Sequence, residues 1–530
     1  MPPSIQIFTG RWRTLAGVFI ALVVAFGIFL RFETHSALWL DEALTVNRAR
    51  LPVGDIVASV KQDGSPPLYY FMLHFWMELF GTSDLATRSL SGIIGVATLP
   101  VAWLAGNRFG GRTVAWTTLV LLASAPFAVY YATEARMYAL SILLSGCGYL
   151  ALRRAVARPR AGNLVATAVV TAALLYTEYW SLYLIGTVFL WLVAAAWLTR
   201  RREVRSGNRF GAWKRNLPAI GAVVVGSLLF IPWIPIFLYQ AHHTGTPWAA
   251  PPNFSAIVSV VTGFTENQGS LSTLGTTQGR ILAVIYFALF ALALFGSAED
   301  EVRIQLDLHT RPRPRALSFT VLVTLFAAIA GGLLTASAFT PRYAAVIFLP
   351  LLLLVALGTT TLVNLRIRSI IVVIAVIAGL VTSFQNITTQ RTEAPSVADV
   401  INAHAEPGDV IAFCPDQIGP AVYRLTADSS HYDMTTFPRG TSPAFINWVD
   451  YKKVVGAADP RAFGDSLDAK AGLAHRIWLV WEPGYQTYGS KCEDLVNSLL
   501  DVRIAKTWVA SDGYKYYEPM YLTEYLPRSA

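Results

Sequence analysis

The sequence predicts a polytopic α-helical membrane protein that ends in a separate α/β domain. Three observations carry this prediction: the composition, a series of long apolar runs, and a change of pattern after Phe384. Of the 530 residues, 54% are hydrophobic and only 14% are charged, whereas about 25% of the residues of an ordinary soluble protein are charged. This composition excludes a wholly soluble globule, and its high hydrophobicity excludes a disordered chain.

Long runs without Asp, Glu, Lys or Arg recur over the first three-quarters of the chain. Because a hydrocarbon core about 30 Å thick needs about 20 apolar residues in a helix, these runs predict about 11 transmembrane helices. The first run is long for a signal peptide and is not followed by a small-x-small cleavage pattern, so we expect it to be retained. The predicted spans are 14–30, 89–106, 113–130, 138–151, 163–176, 181–198, 217–238, 281–296, 317–336, 343–363 and 369–385.

A further apolar segment, 68–80, is only 13 residues long and contains His74 and Glu78. Counting it as a span would invert every later loop and place the most basic loops outside, against the usual distribution of Lys and Arg in membrane proteins. Its Tyr and Trp residues are typical of the membrane boundary. We therefore predict a helix that lies at the membrane surface.

Lys and Arg concentrate on one side of the predicted spans. With the N-terminus in the cytoplasm, the inner segments hold 21 basic and five acidic residues, whereas the outer loops before residue 387 hold eight basic and ten acidic residues. Positive charge stays in cytoplasmic loops, so the N-terminus is predicted inside and the C-terminus outside. The net charge of +9 therefore reflects orientation, and a nucleic-acid-binding protein is excluded.

The chain is predicted to divide at residue 386. Residues 1–386 form a transmembrane domain that includes the first outer loop, 31–88, and residues 387–530 form an extracytoplasmic α/β domain. In this tail, short segments rich in β-branched and aromatic residues alternate with helical patterns. The predicted strands are 408–414, 453–456, 476–481, 503–509 and 514–522, and the predicted helices are 396–405 and 492–500.

The three cysteines carry little functional information. Cys147 lies inside a span and is predicted to be a packing residue. Cys414 and Cys492 lie in the predicted outside domain, where a disulfide persists, and they either form one or remain two separate buried thiols. No CxxC, HExxH or P-loop motif occurs in the sequence.

Two adjacent carboxylates, Asp41 and Glu42, follow the first span in the apolar setting LWLDEA. Burial raises the pKa of a carboxyl group and nearby cations lower it, so a residue in such a setting can serve as a general base. The alternative is a helix cap, because acidic residues are common at the start of a helix.

Charged residues also lie at the outer membrane boundary further along the chain. The motif YYATEARMY places Glu134 and Arg136 between two apolar runs with almost no loop, where charge is costly and usually functional. Arg342, in the motif TPRY, opens the tenth span on the same side. A guanidinium pairs with two phosphate oxygens, so Arg136, Arg342 and, in the first loop, Lys61 are candidates for binding a lipid-linked phosphate. The alternatives are an internal Glu–Arg ion pair for Arg136 and contact with lipid headgroups for Arg342.

Three further polar residues lie on the same side. Glu178 follows the fifth predicted span, and His242 and His243 follow the seventh. Adjacent histidines make a poor metal site by themselves, so they are expected to contact either a sugar or the membrane interface.

In their order and common sidedness, these motifs resemble those of the bacterial membrane glycosyltransferases of the GT-C fold. The features concerned are the acidic pair after the first span, the Pro66–Pro67 pair before segment 68–80, EARMY after the third span and RY at the start of the tenth. The resemblance is nearest to the glycosyltransferase family 39 and aminoarabinose lipid A transferase group, which includes protein O-mannosyltransferases. It covers about residues 14–385, and an extracytoplasmic α/β domain also fits it.

The resemblance implies an inverting transfer of a sugar from a polyprenyl-phosphate-sugar on the extracytoplasmic face. Asp41 matches the family's catalytic base, and Glu42 would orient the acceptor or tune Asp41. Arg136 and Arg342 match positions that neutralise the leaving phosphate, with Lys61 a weaker candidate. The other residues expected to contact substrate are Glu134, Tyr138, Glu178, His242, His243 and Tyr343.

One position departs from the family pattern, because Ser65 stands where many relatives carry a basic residue or His directly before the proline pair. The donor is expected to be used without a metal or other cofactor. Mannose and arabinose are the expected sugars, and an envelope glycan, a glycolipid or a protein is the expected acceptor. The Arg- and Ala-rich, Lys-poor composition indicates a high-GC bacterium and hence its plasma membrane.

Two other classes of protein have comparable spans. A transporter or flippase of a lipid-linked glycan would also have arginines within the membrane, but it leaves the carboxylates concentrated on one face unexplained. An O-antigen-like polymerase is expected to have a large late outer loop in place of the acidic first loop seen here.

Overall fold

The structure of the chain, a computed structural model, describes residues 10–206, 211–245, 255–266, 276–300, 303–307, 309–335, 339–427 and 429–528. The part of the chain before residue 389 is mostly helical. It also contains two short antiparallel strands, β1 (Gly296–Ala298) and β2 (Ile304–Leu306). The helices are α1 (Gly10–Leu30), α2 (Leu40–Ala49), α3 (Val53–Lys61), α4 (Leu68–Phe80), α5 (Asp84–Gly110), α6 (Arg112–Ser124), α7 (Pro126–Ala132), α8 (Tyr138–Ala157), α9 (Ala161–Thr177), α10 (Ser181–Arg205), α11 (Leu217–Leu228), α12 (Ile234–His243), α13 (Ala256–Thr265), α14 (Thr277–Phe295), α15 (Arg315–Thr335), α16 (Ala345–Gly358) and α17 (Leu365–Thr388).

Nine helical stretches of the described residues are long and apolar enough to cross a membrane. A tenth is the pair α6 and α7, which are bent by 56° at their junction. Helix α9 is apolar but has only 17 residues, so it falls just short of that length. The polytopic helical fold is confirmed, with nine or ten of the eleven predicted spans supported by length and composition. That α9 crosses the membrane as an eleventh span stays a prediction.

The bend between α6 and α7 positions part of the candidate site. Pro126 occupies the first turn of α7, and because proline lacks a backbone N–H it begins a new helix more readily than it continues an old one. All seven residues of α7 are buried. The chain then turns at residues 133–137 before α8, which leaves Glu134 and Arg136 buried beneath the first outer loop.

Helix α16 forms the centre of the bundle. All 14 of its residues are buried, as expected for a helix that is apolar on every side, and it packs against α5, α6, α8, α14 and α15. A single helical turn, Pro341–Ala344, precedes it and contains Arg342. This arginine is therefore anchored to the start of a fully buried helix.

Segment 68–80 is a helix, as predicted. One face of α4 is buried through residues that include Tyr69, Leu73 and Met77, while Phe75 and Leu79 on the other face are exposed. An exposed apolar face suits contact with lipid, and the location of α4 at the membrane surface stays a prediction.

The C-terminal part is an α/β domain, as predicted. Its five-stranded sheet has the order β4-β3-β5-β7-β6, in which β4, β3 and β5 are parallel while β7 and β6 run antiparallel to their neighbours. The strands are β3 (Val410–Cys414), β4 (Asp433–Thr436), β5 (Ile477–Trp481), β6 (Arg503–Val509) and β7 (Tyr521–Pro527). The helices are α18 (Ala394–His404), α19 (Gly419–Leu425), α20 (Tyr451–Ala457), α21 (Pro460–Ala471) and α22 (Lys491–Val502).

Two predicted strands are wrong. Segment 453–456 lies in α20, because the buried residues Tyr451 and Val455 are one helical turn apart and form its packed face. The predicted strand 514–522 begins only at Tyr521, and Pro519 just before it has no N–H for a ladder. Strand β4 was not predicted, since its sequence DMTT is mostly polar.

The two cysteines of the C-terminal domain form a disulfide. Cys414 ends β3 and Cys492 lies in the first turn of α22. Of the two alternatives that the sequence leaves open, the structure therefore has the bonded pair. Cys147 is a free thiol within α8.

The C-terminal domain packs directly on the first outer loop. Asn47 Nδ2 donates a hydrogen bond of 2.8 Å to the carbonyl oxygen of Ala444, and Arg48 Nη2 donates one of 2.7 Å to that of Ile446. The backbone N–H of Trp448 donates to the carbonyl oxygen of Gln62 at 3.1 Å. These bonds hold the segment 444–448 of the C-terminal domain against the loop that contains Asp41.

Candidate active site

Asp41 and two arginines from distant parts of the chain meet at one point. Asp41 lies in the first turn of α2, and its Oδ2 atom accepts a hydrogen bond of 2.9 Å from Arg342 Nη1. Arg136 Nη2 lies 3.9 Å from the same oxygen. The side chains of Asp41, Arg136 and Arg342 are only 16%, 11% and 14% exposed. The predicted base and two of the three predicted phosphate-binding residues are thus neighbours in a largely dry setting.

This cluster faces a cavity of about 370 Å³, within the size range of about 300–1,000 Å³ that is usual for small-molecule sites. The cavity lies between the first outer loop, the start of α8, the connection from α9 to α10, the end of α15 and the C-terminal domain. Its polar and aromatic lining residues include Asp41, Asp63, Ser65, Arg136, Glu178, Tyr179, Trp180, Tyr183, Arg342, Tyr343 and Trp448.

Both arginines are held in place by neighbours other than Asp41. Arg136 Nη1 donates a hydrogen bond of 2.9 Å to Thr45 Oγ1, and its guanidinium carbon lies 5.9 Å from the ring centre of Tyr138. The guanidinium of Arg342 lies 5.8 Å from the ring centre of Tyr343. Aromatic faces attract a guanidinium group. These neighbours therefore orient both arginines beside Asp41.

Glu42 does not face the cavity, in contrast to its neighbour Asp41. It is fully buried and accepts hydrogen bonds from Arg88 Nε at 2.7 Å, Arg88 Nη2 at 2.5 Å and the N–H of Ala135 at 2.9 Å. Arg391 Nη1 donates to Oε2 of Glu42 at 3.4 Å, the same oxygen that accepts from Arg88 Nη2. Both oxygens of Glu42 are therefore occupied by protein groups. Its expected role, to orient the acceptor or to tune Asp41, stays a prediction.

Sequence reasoning missed the two arginines that hold Glu42. Arg88 lies in the first turns of α5, and Arg391 lies three residues beyond the end of α17. Arg391 also donates to the carbonyl oxygen and hydroxyl of Thr133 at 3.1 and 2.7 Å. The signal in the sequence was a basic residue at the outer edge of a span in each case. Glu42 with its arginines joins α2, α5, the turn before α8 and the start of the C-terminal domain.

Glu178 contributes a second carboxyl group to the cavity. It lies in the short connection between α9 and α10, is buried, and accepts a hydrogen bond of 2.7 Å from Ser141 Oγ on its Oε2 atom. Its Oε1 atom has no hydrogen-bond partner among the described residues. Burial raises the pKa of Glu178 to about 8, so this carboxyl group is mostly protonated at neutral pH and can donate a hydrogen bond to a ligand.

Asp63, also in the lining, has protein partners on both oxygens. It forms an ion pair with Arg48 at 2.8 Å and accepts a hydrogen bond from the hydroxyl of Tyr70. Ser65, where the sequence departs from the family pattern, lines the cavity as well. The loop before the proline pair therefore borders the cavity with a hydroxyl residue and a paired acid.

The remaining predicted site residues lie in the cavity lining, behind it or away from it. Tyr343 lines the cavity, whereas Glu134 is buried behind it and accepts a hydrogen bond of 3.2 Å from Trp39 Nε1. Tyr138 is buried beside Arg136. Lys61, His242 and His243 are not among the described residues that line the cavity. Lys61 contacts the ring of Tyr239, His243 contacts Asp450, and His242 is exposed.

Within the described ranges, no group of three or more His, Cys, Asp or Glu side chains is arranged to hold a metal ion. Transfer without a metal stays a prediction.

With nine or ten membrane-length helices among its described residues, and with structural matches over almost its whole length, the chain has the GT-C fold of membrane glycosyltransferases. Its sequence matches, over residues 64–235, the profile of the family described as dolichyl-phosphate-mannose-protein mannosyltransferase. No curated protein sequence matches the chain.

The structure is similar to that of ArnT from Cupriavidus metallidurans. In the apo state of that protein, 97% of this chain matches 98% of that one at 15% identity and a TM-score of 0.60. The form bound to undecaprenyl phosphate matches over 98% of both chains at 14% identity and a TM-score of 0.58. The archaeal oligosaccharyltransferase AglB from Archaeoglobus fulgidus, in complex with an inhibitory peptide and a dolichol-phosphate, matches 94% of this chain and 74% of its own at 9% identity and a TM-score of 0.50.

Proposed function

We propose that the protein is an inverting glycosyltransferase that moves a sugar from a polyprenyl-phosphate-sugar to an acceptor on the extracytoplasmic face of the bacterial plasma membrane. The observation that carries the proposal is the approach of two arginines to one oxygen of Asp41 in a mostly buried cavity. Such a site holds a base for an acceptor hydroxyl beside cations for a leaving phosphate. The match to the mannosyltransferase profile supports the same chemistry.

In the proposed reaction, Asp41 removes the proton of the acceptor hydroxyl as its oxygen bonds to the anomeric carbon of the sugar. The bond from that carbon to the phosphate oxygen breaks on the opposite face, which inverts the anomeric configuration. The electron pair of the broken bond stays on the lipid phosphate. Arg136 and Arg342 bind the negative charge that develops there, and preorganised cations in a dry site do so without reorganisation.

The ion pairs of Asp41 suggest how the donor activates the base. Arg342 Nη1 donates a hydrogen bond of 2.9 Å to the carboxylate of Asp41. A bound phosphate provides more oxygens for the guanidinium groups than one carboxylate does, so it competes with Asp41 for the arginines. The released Asp41 oxygen is then available to the acceptor hydroxyl.

The proposal extends to the substrates with less detail. Mannose or arabinose is the proposed sugar, and an envelope glycan, a glycolipid or a protein is the proposed acceptor. Trp448 of the C-terminal domain lines the cavity, so this domain is proposed to contact the acceptor. Lys61, His242 and His243 are outside the proposed donor site because their contacts lie elsewhere.

The proposal is tested by transfer of labelled sugar. The purified protein is supplied with polyprenyl-phosphate-mannose or, separately, polyprenyl-phosphate-arabinose, with total envelope glycans as acceptor. We expect label in the acceptor from one of these donors, in the presence and absence of a metal chelator. Movement of a lipid-linked glycan across a vesicle membrane without transfer would instead indicate a flippase.

Arg136→Ala is expected to weaken donor binding about tenfold to a hundredfold, since a hydrogen bond to a charged group contributes about 1.5–3 kcal/mol. The KM for the acceptor should change little. Steady-state kinetics with each substrate varied in turn measures both values. Arg50→Ala is the matched control, because Arg50 is exposed in the same outer loop. Unchanged donor affinity in Arg136→Ala would restrict Arg136 to a structural ion pair.

Glu178→Gln is expected to keep full activity at pH 7 and to remove a decline at alkaline pH. The pKa of Glu178 is raised to about 8 by burial, so the wild-type carboxyl group is neutral at pH 7 and gains a negative charge as the pH rises above 8. That charge repels the anionic donor, whereas glutamine stays neutral. Initial rates from pH 6 to 10 (about two units either side of that pKa) test this, and the same alkaline decline in both proteins would contradict it.

A further inference from the structure

A second, larger cavity extends along the helical bundle, with an arginine-lined mouth at the opposite end from the candidate active site. Its volume is about 860 Å³. The active-site cavity is lined by the turn just before α8 and by the end of α15, whereas this one is lined by Arg153 near the end of α8 and by Leu317 near the start of α15. With the orientation predicted from the basic loops, it opens toward the cytoplasmic leaflet.

The interior of this cavity is apolar. Aliphatic side chains from α9, α10 and α11 face it, among them Leu174, Val188 and Val223. An acyl chain in contact with this surface has the same apolar environment as it has in the surrounding lipid. It therefore provides room for a chain but no preference for one lipid over another.

Four arginines from different segments line the mouth of the cavity. Their positive charge favours a lipid with an anionic headgroup. Arg108 lies near the end of α5, Arg153 near the end of α8, Arg215 just before α11 and Arg313 just before α15. All four are exposed, and no Asp or Glu is among the described lining residues. Within the described part of the chain, Arg108, Arg215 and Arg313 make no ion pair, while Arg153 Nη1 donates to the carbonyl oxygen of Arg108 at 2.9 Å.

We propose that this cavity binds an anionic phospholipid of the cytoplasmic leaflet, with its acyl chains along the apolar walls and its phosphate among the four arginines. Basic pockets between transmembrane helices on the cytoplasmic side recognise anionic headgroups by this combination. The site is separate from the proposed donor site, whose arginines bind phosphate at the other end of the helices. The protein would therefore bind an anionic phospholipid that is not a substrate of the transfer reaction.

The proposal is tested by measuring lipid binding to the purified protein with native mass spectrometry. Phosphatidylglycerol and phosphatidylcholine with identical acyl chains are the probes, and phosphatidylglycerol is expected to bind more tightly. Each arginine near an anionic headgroup is worth about 1 kcal/mol, or about fivefold. The triple variant Arg108→Gln, Arg215→Gln, Arg313→Gln should therefore bind phosphatidylglycerol about a hundredfold more weakly.

The double variant Arg160→Gln, Arg366→Gln is the matched control, because both arginines are exposed at the same ends of the helices but are not among the described lining residues. It should retain the wild-type preference. Equal binding of the two lipids to the wild type, or wild-type affinity in the triple variant, would overturn the proposal. Displacement of phosphatidylglycerol from this site by equimolar polyprenyl phosphate would also overturn it, in favour of the donor lipid.

A second variant tests the apolar part independently of charge. Val188→Trp is expected to fill part of the cavity and to lower phosphatidylglycerol affinity at least tenfold, although all four arginines remain. Because Val188 is only partly buried, the substitution should leave the fold intact, and the thermal midpoint checks this. Unchanged affinity in a folded Val188→Trp protein would show that lipid does not occupy the cavity.

Discussion

Asp41→Asn is expected to lower the rate of sugar transfer by about a thousandfold, since removal of a general base typically costs 10²- to 10⁴-fold. Asparagine has nearly the same shape and retains an oxygen that can accept the hydrogen bond of 2.9 Å from Arg342. It does not accept a proton, so the acceptor hydroxyl would remain protonated as it attacks. The donor should still bind, because both arginines are present and the competing carboxylate is gone.

Single-turnover transfer from labelled donor measures this effect, and equilibrium donor binding measures the retained affinity. Asp55→Asn is the matched control, since Asp55 is an exposed acid in the same outer loop and should have wild-type activity. Full activity of Asp41→Asn would refute the base role. Loss of donor binding together with activity would mean that Asp41 organises the arginines and does not act on the acceptor.

Glu42→Gln is expected to destabilise the fold by about 3–5 kcal/mol, the usual cost of breaking a buried ion pair by removing one partner. The reason is that Arg88 and Arg391 would remain buried with uncompensated charge; their side chains are 5% and 1% exposed. Because Glu42 joins the outer loop, the turn before α8 and the start of the C-terminal domain, the site should lose order together with stability.

The thermal or denaturant midpoint of the detergent-solubilised protein measures this loss. Glu33→Gln is the control, because Glu33 is a partly exposed acid of the same loop whose contact with His35 is 3.6 Å and should contribute at most about 1 kcal/mol. Wild-type stability of Glu42→Gln with little activity would refute the structural role and would indicate that Glu42 orients the acceptor or tunes Asp41.

Much of the fold could be predicted because lipid imposes a simple rule on the sequence. A spanning segment must satisfy its backbone hydrogen bonds internally and present apolar side chains, so spans are visible as runs without charge. Two features of the helical domain are not visible in this way. The break at Pro126 and the 17-residue α9 depend on local backbone and neighbouring helices, which hydropathy does not report.

The C-terminal domain was harder to predict in detail. Its sheet was recognised, but segment 453–456 proved helical and β4 was missed. Short β-branched segments have no decisive periodicity. Which of them pairs with a sheet is decided by neighbours far away in sequence, such as β5 between β3 and β7.

For the site, the sequence alone determined that few charged residues lie at the predicted outer boundary of the membrane. It also placed Asp41, Arg136 and Arg342 on the same side of the membrane. Only the tertiary structure decided which of these charges meet. Asp41 and Glu42 are adjacent in sequence, yet about 100° of helical rotation separates neighbouring residues, so one faces the cavity and the other faces Arg88 and Arg391. Lys61 and His243 are predicted on the same side but contact Tyr239 and Asp450, and His242 is exposed. Sidedness is a property of hydropathy and loop charge, whereas the direction of a side chain depends on how helices pack, and packing is determined by contacts between residues hundreds of positions apart.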